Sequence, residues 1–598
     1  MSATIKKILK VFLTLLVLLS AAKLLIAGYD IDEQYAVAMA YRIVQGDRLL
    51  LDMWEPHQTS AFLSVLLLIP YLALTKTTTG IFLYLRFAGL FICFLVTLLL
   101  YRAIRHFLEK DYAQLICCVF ALFLPKLIFL TEYSNMQTWF LMLVLLCLMP
   151  YPAKPDNTNS DTSTDIVYAD RPHPYLRTAA AGIFLSLEVL SYPSAVLVFP
   201  ALLIWLFKYE KKTTAGKQAL LLTGVCFACA AVFLGYLFSY MSLNDILTSL
   251  SAVMNDGSHT ITISEKLSTN LSSLGEILKL FAVYAIFATA LYVLLFVVSS
   301  RFTAAQTTAP ASERTSRLKP CMTHFQAFEA ENGRFLTWAT LLLLCTMTGQ
   351  ILIWVFGSKY PNYPMVEYFF LPAIYFALLI LHKKRVSAHA FLLVVVPLVS
   401  FFGILLFTNL YLLGIAPFLG VAVVGVFICL GMEGKQRQFY PILLVWVLVL
   451  LFGRCYIIRI SGGAHFTVFD EISLIRQGSS IGIIADTESV RRYNESTALL
   501  QAYIPEDSNV FYVGCTTDVY FMQDVNICTP STISTPTYDE TVATYFETHP
   551  DKTPDYVICD RDYADLTADT WIALYLSEIC VSTPVAENNY LVIYEVVQ

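Results

Sequence analysis

Charged side chains are scarce in this sequence. Asp, Glu, Lys and Arg make up 14% of its 598 residues, whereas 57% are hydrophobic and the mean hydropathy is +0.64. Soluble globular proteins carry about 25% charged residues. The composition therefore excludes an ordinary soluble protein and favours a polytopic α-helical membrane protein, for which we expect no nucleic-acid partner.

Signatures of several common sites are also missing. The C-terminal part has no nucleotide-binding loop, zinc-type spacing or nucleophile elbow. Cysteines within apolar runs, such as Cys226 and Cys229, are interpreted as packing residues. In an extracytoplasmic tail, four further cysteines either stay as thiols or form one or two disulfides, namely Cys515, Cys528, Cys559 and Cys580.

The sequence is rich in long apolar runs. A helix of about 20 apolar residues spans the roughly 30 Å of hydrocarbon in a bilayer. The first run is interpreted as a retained signal anchor, because no small-residue cleavage site follows it. The pattern predicts about thirteen membrane helices, at 7–28, 81–101, 112–131, 136–150, 178–190, 194–208, 218–240, 277–300, 335–356, 364–381, 388–408, 411–431 and 439–458.

The charge distribution predicts the orientation in the cell membrane. Residues 459–598 contain 21 acidic residues against 6 Lys and Arg, so we expect them to form an extracytoplasmic domain behind a transmembrane domain of residues 1–458. The positive-inside rule places the N-terminus in the cytoplasm, together with five basic loops at 102–110, 208–217, 301–319, 383–385 and 435–437.

The tail has the pattern of a small α/β domain. Short β-like runs predict strands, and two longer stretches predict helices at 487–503 and 539–548. Two cytoplasmic segments rich in Pro, Ser and Thr, 152–174 and 302–320, are predicted linkers. The expected strands are 509–514, 518–522, 555–559 and 590–597.

The first outer loop, about 28–80, is the largest insertion before the tail. Its residues 61–74 are apolar but short and contain Pro70, so we predict a re-entrant or interfacial hairpin rather than a crossing. The amphipathic stretch 34–45 is predicted to form a helix along the membrane interface. Acidic and polar residues gather here against the membrane, which indicates a functional site: Asp30, Asp32, Glu33, Asp47, Asp52, Glu55, His57 and Gln58.

The order of these residues resembles one group of membrane enzymes. An Asp-Glu pair after the first helix, a helix containing Arg42, then Gly46-Asp47 and a proline-bearing turn are similar to the first periplasmic loop of GT-C glycosyltransferases. Protein O-mannosyltransferases and the lipid A aminoarabinose transferase typify that group. The resemblance implies a GT-C-like fold and transfer of a sugar from a polyprenyl-phosphate donor to a hydroxyl acceptor, on protein, lipid or glycan, at the outer membrane face.

Carried over, the acidic pair of the family falls on Asp32 and Glu33. The resemblance implies Asp32 as the general base that takes the acceptor proton, with Glu33 orienting it or the acceptor. Asp30 is a competing choice for the general base, because a small shift in the alignment with the family would change the assignment. Without a covalent intermediate, the reaction is expected to invert the anomeric centre.

One departure affects the donor site. Relatives carry a Lys-Pro-Pro element where this chain has Glu55-Pro56-His57, so the charge is reversed. Glu55 and His57 are candidate donor contacts or ligands of a divalent metal, the only cofactor we consider. Other candidates for donor or acceptor binding are Asp30, Arg42, Asp47, Lys359 and Tyr360, although Arg42 is equally suited to pair with a neighbouring carboxylate.

Three other functions stay open. A transporter or flippase of lipid-linked saccharides would show repeats and charges within membrane helices, but no repeat is evident and Glu188 is the main such charge. A polysaccharide polymerase or ligase usually places its large loop between late helices. A catalytically inactive relative would bind a partner through its tail.

Overall fold

The computed structural model of this chain combines a helical bundle with a C-terminal α/β domain. It describes the greater part of the sequence, and all structural statements concern that part. The described residues are 3–28, 30–123, 125, 128–152, 168–169, 173–254, 261–308, 319–356, 366–461, 464–535, 541–581 and 583–597.

Each of the thirteen segments predicted to cross the membrane overlaps a helix of the bundle. A π-helical segment, Phe391–Val395, lies between the fourteenth and fifteenth helices. In chain order the bundle helices are α1 (Ala3–Ile26), α2 (Ile31–Gln45), α3 (Phe62–Thr75), α4 (Ile81–Ile104), α5 (Lys110–Leu122), α6 (Tyr133–Leu148), α7 (Pro174–Ser191), α8 (Val198–Tyr209), α9 (Lys212–Phe238), α10 (Leu243–Met254), α11 (Ile263–Thr308), α12 (Lys319–Phe356), α13 (Glu367–Leu381), α14 (Ala388–Ala390), α15 (Val396–Phe407), α16 (Gly420–Met432) and α17 (Gln436–Tyr456).

Within the described residues, seven helical segments are long and apolar enough to cross a membrane. Six further apolar helices are shorter, between 10 and 17 residues. Multi-pass membrane insertion therefore follows from several helices independently, whereas the count of thirteen crossings stays a prediction. The seven long segments are Gln58–Thr75, Ile81–Ile104, Lys212–Phe238, Ile263–Arg301, Thr323–Phe356, Ala388–Phe407 and Gln436–Tyr456.

The predicted hairpin at 61–74 is wrong, because α3 is one continuous helix with Pro70 inside it. Proline removes one backbone hydrogen bond, whereas a hairpin in apolar surroundings would leave several N–H and C=O groups unsatisfied. Before the helix, Thr59 donates to the carbonyl of Leu190, and beyond it Gly80 donates to Gly478 in the C-terminal domain. The segments that flank α3 therefore contact α7 on one side and the C-terminal domain on the other, and the exposed residues of α3 include Leu66, Ile69 and Leu74.

The C-terminal domain is built on a five-stranded sheet. Its strand order is β10-β11-β9-β7-β8, with β7 parallel to β8 and β9, and β11 antiparallel to β9 and β10. Three two-stranded pairs, β1-β2, β3-β4 and β5-β6, lie outside it. The strands are β1 (Tyr151–Pro152), β2 (Tyr168–Ala169), β3 (Ile457–Ser461), β4 (Ala464–Thr467), β5 (Ile472–Leu474), β6 (Ile484–Asp486), β7 (Asn509–Val513), β8 (Asn526–Ile527), β9 (Tyr556–Asp560), β10 (Ala586–Glu587) and β11 (Leu591–Glu595).

Four helices complete this domain, and one of them corrects a prediction. The expected strand 518–522 is a short helix, because β8 already occupies the edge of β7 and the segment satisfies its backbone within a helical turn. The four tail cysteines are free thiols. Most of the predicted linkers, 153–167 and 309–318, lies outside the described residues. The helices are α18 (Thr487–Tyr503), α19 (Val519–Met522), α20 (Thr541–Thr548) and α21 (Trp571–Ile579).

Close helix packing inside the bundle depends on small residues. Gly425 of α16 lies against the π-helical segment, and a Cβ atom built on it would overlap the carbonyl oxygen of Leu393. A backbone carbonyl cannot turn away as a side chain does. The two segments can therefore approach this closely only with glycine at that position.

We expect Gly425→Ala to destabilise the protein by about 1–3 kcal/mol, because the added methyl group must push two packed segments apart. Gly224→Ala in α9 is the matched control, since a Cβ there has no heavy atom within 4 Å. Thermal unfolding of the purified protein measures the difference. Equal midpoints for the two variants would show that the contact between Gly425 and Leu393 is not tight.

Candidate functional site

The first turn of α2 holds the acidic residues that the sequence singled out. Asp30 is the N-cap, and its carboxylate accepts a hydrogen bond from the backbone N–H of Asp32 at 2.9 Å. Carboxylates at a helix N-terminus are favoured by the helix dipole and by its exposed N–H groups. Asp30 therefore has a structural role as a cap, while Asp32 is the second residue of the helix and is partly exposed.

Glu33 is buried in an ion pair with Arg86 of α4. The Nε and Nη2 atoms of Arg86 lie 2.6 and 2.5 Å from the two carboxylate oxygens. Arg86 also donates to the carbonyls of Leu25 and Gly28, at the end of α1. The pair therefore fixes the start of α2 against α4 and the end of α1, and Glu33 is a positioning residue.

The other end of α2 is fixed by Arg42, which is completely buried. Its Nε lies 2.7 Å from Asp47, and its Nη1 lies 3.4 Å from Glu55. Arg42 also donates to the carbonyl of Thr529 in the C-terminal domain, and Lys552 of that domain pairs with Asp47. Of the two predicted roles of Arg42, the structure shows the pairing with a neighbouring carboxylate.

Glu55 faces the C-terminal domain. Its oxygens accept hydrogen bonds from the Ser531 hydroxyl at 2.9 Å and from the Thr532 N–H at 2.5 Å. His57 lies elsewhere, stacked on Tyr133 with ring centroids 4.1 Å apart. No group of three or more His, Cys, Asp or Glu residues that could hold a metal occurs within the described ranges. Metal binding by Glu55 and His57 therefore stays a prediction.

Asp52 is held by Arg48, four residues before it, through a contact of 2.8 Å. Burial raises the pKa of Asp52, but hydrogen bonds from the side chain and backbone N–H of Arg48 outweigh burial and keep it below its usual value. Asp52 therefore stabilises the loop as a charged group.

The interfacial helix predicted for 34–45 has a different environment. The side chains of α2 are buried from Glu33 to Arg42, including Ala36, Val37 and Met39. They share one apolar core with α3, α4 and the C-terminal domain. The helix therefore lies between the bundle and the domain rather than against lipid.

Several residues of this region were missed by sequence reasoning. Arg86 and Arg454 are buried within helices that were interpreted as plain apolar spans, and Lys23 lies in α1. An arginine inside an apolar run needs a partner, so Arg86 together with an acidic residue nearby was an available signal. Nothing in the sequence around Lys552 indicated that it pairs with Asp47. The predicted contacts Lys359 and Tyr360 lie outside the described residues.

An apolar groove with a volume of about 420 Å³ lies between α1 and α4, and Ala121, Leu122 and Phe129 also line it. Phe87 and Leu24, at its outer end, are the sequence neighbours of Arg86 and of Leu25, whose carbonyl Arg86 binds. A long apolar chain is the kind of ligand that such a surface accommodates.

Comparisons with known proteins identify structural similarity only. No protein-family model matches the chain, and no curated sequence matches it significantly. Oligosaccharyltransferase from Archaeoglobus fulgidus, tethered to an acceptor peptide, is 11% identical with a TM-score of 0.43, over 97% of this chain and 74% of that one.

Two other solved structures have similar values. The same archaeal enzyme, AglB, bound to an inhibitory peptide and a dolichol-phosphate, is 12% identical with a TM-score of 0.39, over 92% of this chain and 69% of that one. ArnT from Cupriavidus metallidurans, in the apo state, is 11% identical with a TM-score of 0.38, over 99% of this chain and 98% of that one.

We expect Arg42→Met to destabilise the protein by about 3–5 kcal/mol, because it leaves buried Asp47 and Glu55 without their cation. Arg48→Met is the matched control, since Arg48 is half-exposed and its ion pair contributes at most about 1 kcal/mol. Thermal unfolding and hydrogen exchange over residues 529–532 measure both. Similar losses in the two variants would contradict a special role for Arg42.

Proposed function

We propose that this protein is a glycosyltransferase that moves a sugar from a polyprenyl-phosphate donor to a hydroxyl acceptor at the outer face of the membrane. The position of Asp32 carries the proposal. This partly exposed carboxylate precedes Glu33, whose ion pair with Arg86 holds the first turn of α2 against α4, one of the helices that line the apolar groove. The proposed base and the proposed lipid-binding surface thus share α4 as a support.

The other acidic residues of this region stabilise the fold. Glu33 and Asp47 are paired with arginine or lysine, and Glu55 is held by Arg42 and the C-terminal domain. Asp30 caps α2. Asp32 is partly exposed beside these residues, as a carboxylate that meets a substrate must be.

In the proposed reaction, the carboxylate of Asp32 accepts the proton of the acceptor hydroxyl. The hydroxyl oxygen forms a bond to the anomeric carbon while the bond from that carbon to the phosphate oxygen breaks. The polyprenyl phosphate leaves with the bonding electrons, and direct displacement inverts the anomeric centre. Cationic side chains near the outer end of the groove would stabilise the charge that develops on the phosphate.

The C-terminal domain packs against α2 and the segment that follows it. Arg42 contacts Thr529, and Glu55 contacts Ser531 and Thr532, so the domain closes over α2. We propose that it also docks the acceptor, since the carbonyl of its Ile484 accepts a hydrogen bond from the N–H of Gly28, four residues before Asp32.

We expect Asp32→Asn to lower the release of free polyprenyl phosphate by about 10²- to 10⁴-fold, because the base is lost, while the midpoint of thermal unfolding is unchanged. The measurement uses protein in vesicles, with a panel of polyprenyl-phosphate sugars and candidate acceptors. Glu33→Gln should instead lower the unfolding midpoint, because buried Arg86 loses its partner.

Asp30→Asn is the control, since asparagine caps helices as well as aspartate does. It should retain activity within several-fold of the unmodified protein. Loss of release with Asp30→Asn but not with Asp32→Asn would move the base to Asp30. Labelled lipid that crosses the bilayer without any release would favour a flippase instead.

A further inference from the structure

Three cationic side chains meet at the outer end of α1, α4 and α17. Arg86 is paired with Glu33, as described above. Lys23 of α1 donates to the carbonyl of Ile457, and the Nε of Arg454 in α17 donates to the carbonyl of Leu122 at 2.9 Å. Lys23 interacts electrostatically with both arginines, and both interactions are repulsive. Gathering like charges away from water is costly, which indicates a site for an anion.

Sequence neighbours or hydrogen-bond partners of this cation cluster, Lys23, Arg86 and Arg454, line the apolar groove between α1 and α4. Leu122, whose carbonyl binds Arg454, lines the groove, as does Leu24 next to Lys23. Lys23 is partly exposed, whereas the two arginines are buried. Lys23 is therefore the member of the cluster that a ligand can contact directly.

A hydroxyl group adds a second observation. Ser20 lies one turn before Lys23 in α1, lines the groove and is 0% exposed. Its Oγ has no hydrogen-bond partner among the described residues. Buried hydroxyls are normally bonded, so Ser20 is a donor in place for a ligand oxygen.

We infer that Lys23 and Ser20 bind the phosphate of a polyprenyl phosphate, whose chain lies in the groove, with Arg454 and Arg86 supplying additional positive potential. The inference rests on the proposed function, since it locates the donor phosphate of that reaction. The groove extends along α4 from Phe87 to Thr97, about 15 Å at the rise of an α-helix, which accommodates the first units of an extended lipid.

The test measures binding of polyprenyl phosphate, and of uncharged polyprenol, to the purified full chain by native mass spectrometry. Lys23→Met should weaken binding of polyprenyl phosphate at least tenfold and leave polyprenol binding within about twofold, because only the phosphate loses a contact. Lys23→Arg should restore most of the affinity, and Ser20→Ala should weaken it several-fold.

Lys266→Met is the matched control. Lys266 also lies at the outer end of a membrane helix, α11, and donates to backbone carbonyls, those of Leu406 and Thr408. This variant should bind both lipids as the unmodified protein does. A competition with phosphatidylglycerol separates the proposed ligand from bulk anionic lipid, which should not displace polyprenyl phosphate at equal concentration.

Three results would overturn the inference. They are unchanged binding of polyprenyl phosphate to Lys23→Met, equal loss of polyprenol binding in that variant, and equal competition by phosphatidylglycerol. The proposed function is judged separately, by product release. If the unmodified protein releases polyprenyl phosphate and Lys23→Met binds it with unaltered affinity, only the site is rejected. If the affinities are as expected but no polyprenyl phosphate is released from the donor, only the function is rejected.

Discussion

Buried ion pairs at both ends of α2 are the interaction on which the junction between the bundle and the C-terminal domain depends. Removing a charged group from water costs several kcal/mol unless a partner compensates it. Glu33 forms an ion pair with Arg86 in the bundle, and Arg42 forms ion pairs with Asp47 and Glu55 beside the C-terminal domain. The helix can therefore satisfy its charges in one position only, between the two parts of the molecule.

That constraint separates the roles of chemically similar residues. Asp30, Asp32 and Glu33 are close in sequence, yet the first caps the helix, the third is buried against Arg86, and Asp32 remains partly exposed. The same ion pair holds the first turn of α2 against α4 and the end of α1, the two helices between which the groove lies. A proposed base and a proposed lipid site thus share one support.

The predictable features were those with a strong periodic or compositional signal. Each apolar run that was predicted to be a membrane segment overlaps a helix. The strands at 509–514 and 555–559 were recognisable from their β-branched and aromatic residues. Residues 61–74 were misinterpreted because a short length and Pro70 argued against a continuous helix. The segment 518–522 was misinterpreted because its strand-like composition does not reveal that the neighbouring sheet edge is occupied.

The sequence by itself determined the membrane class, the first outer loop and the acidic residues within it, because hydropathy and local order are properties of consecutive residues. Only the tertiary structure decided which carboxylate each cation neutralises. Lys552 lies 505 residues from Asp47, and Arg86 lies 53 residues from Glu33. Such pairings follow from the burial of charge in a common core, and local sequence does not encode which distant partner will share it.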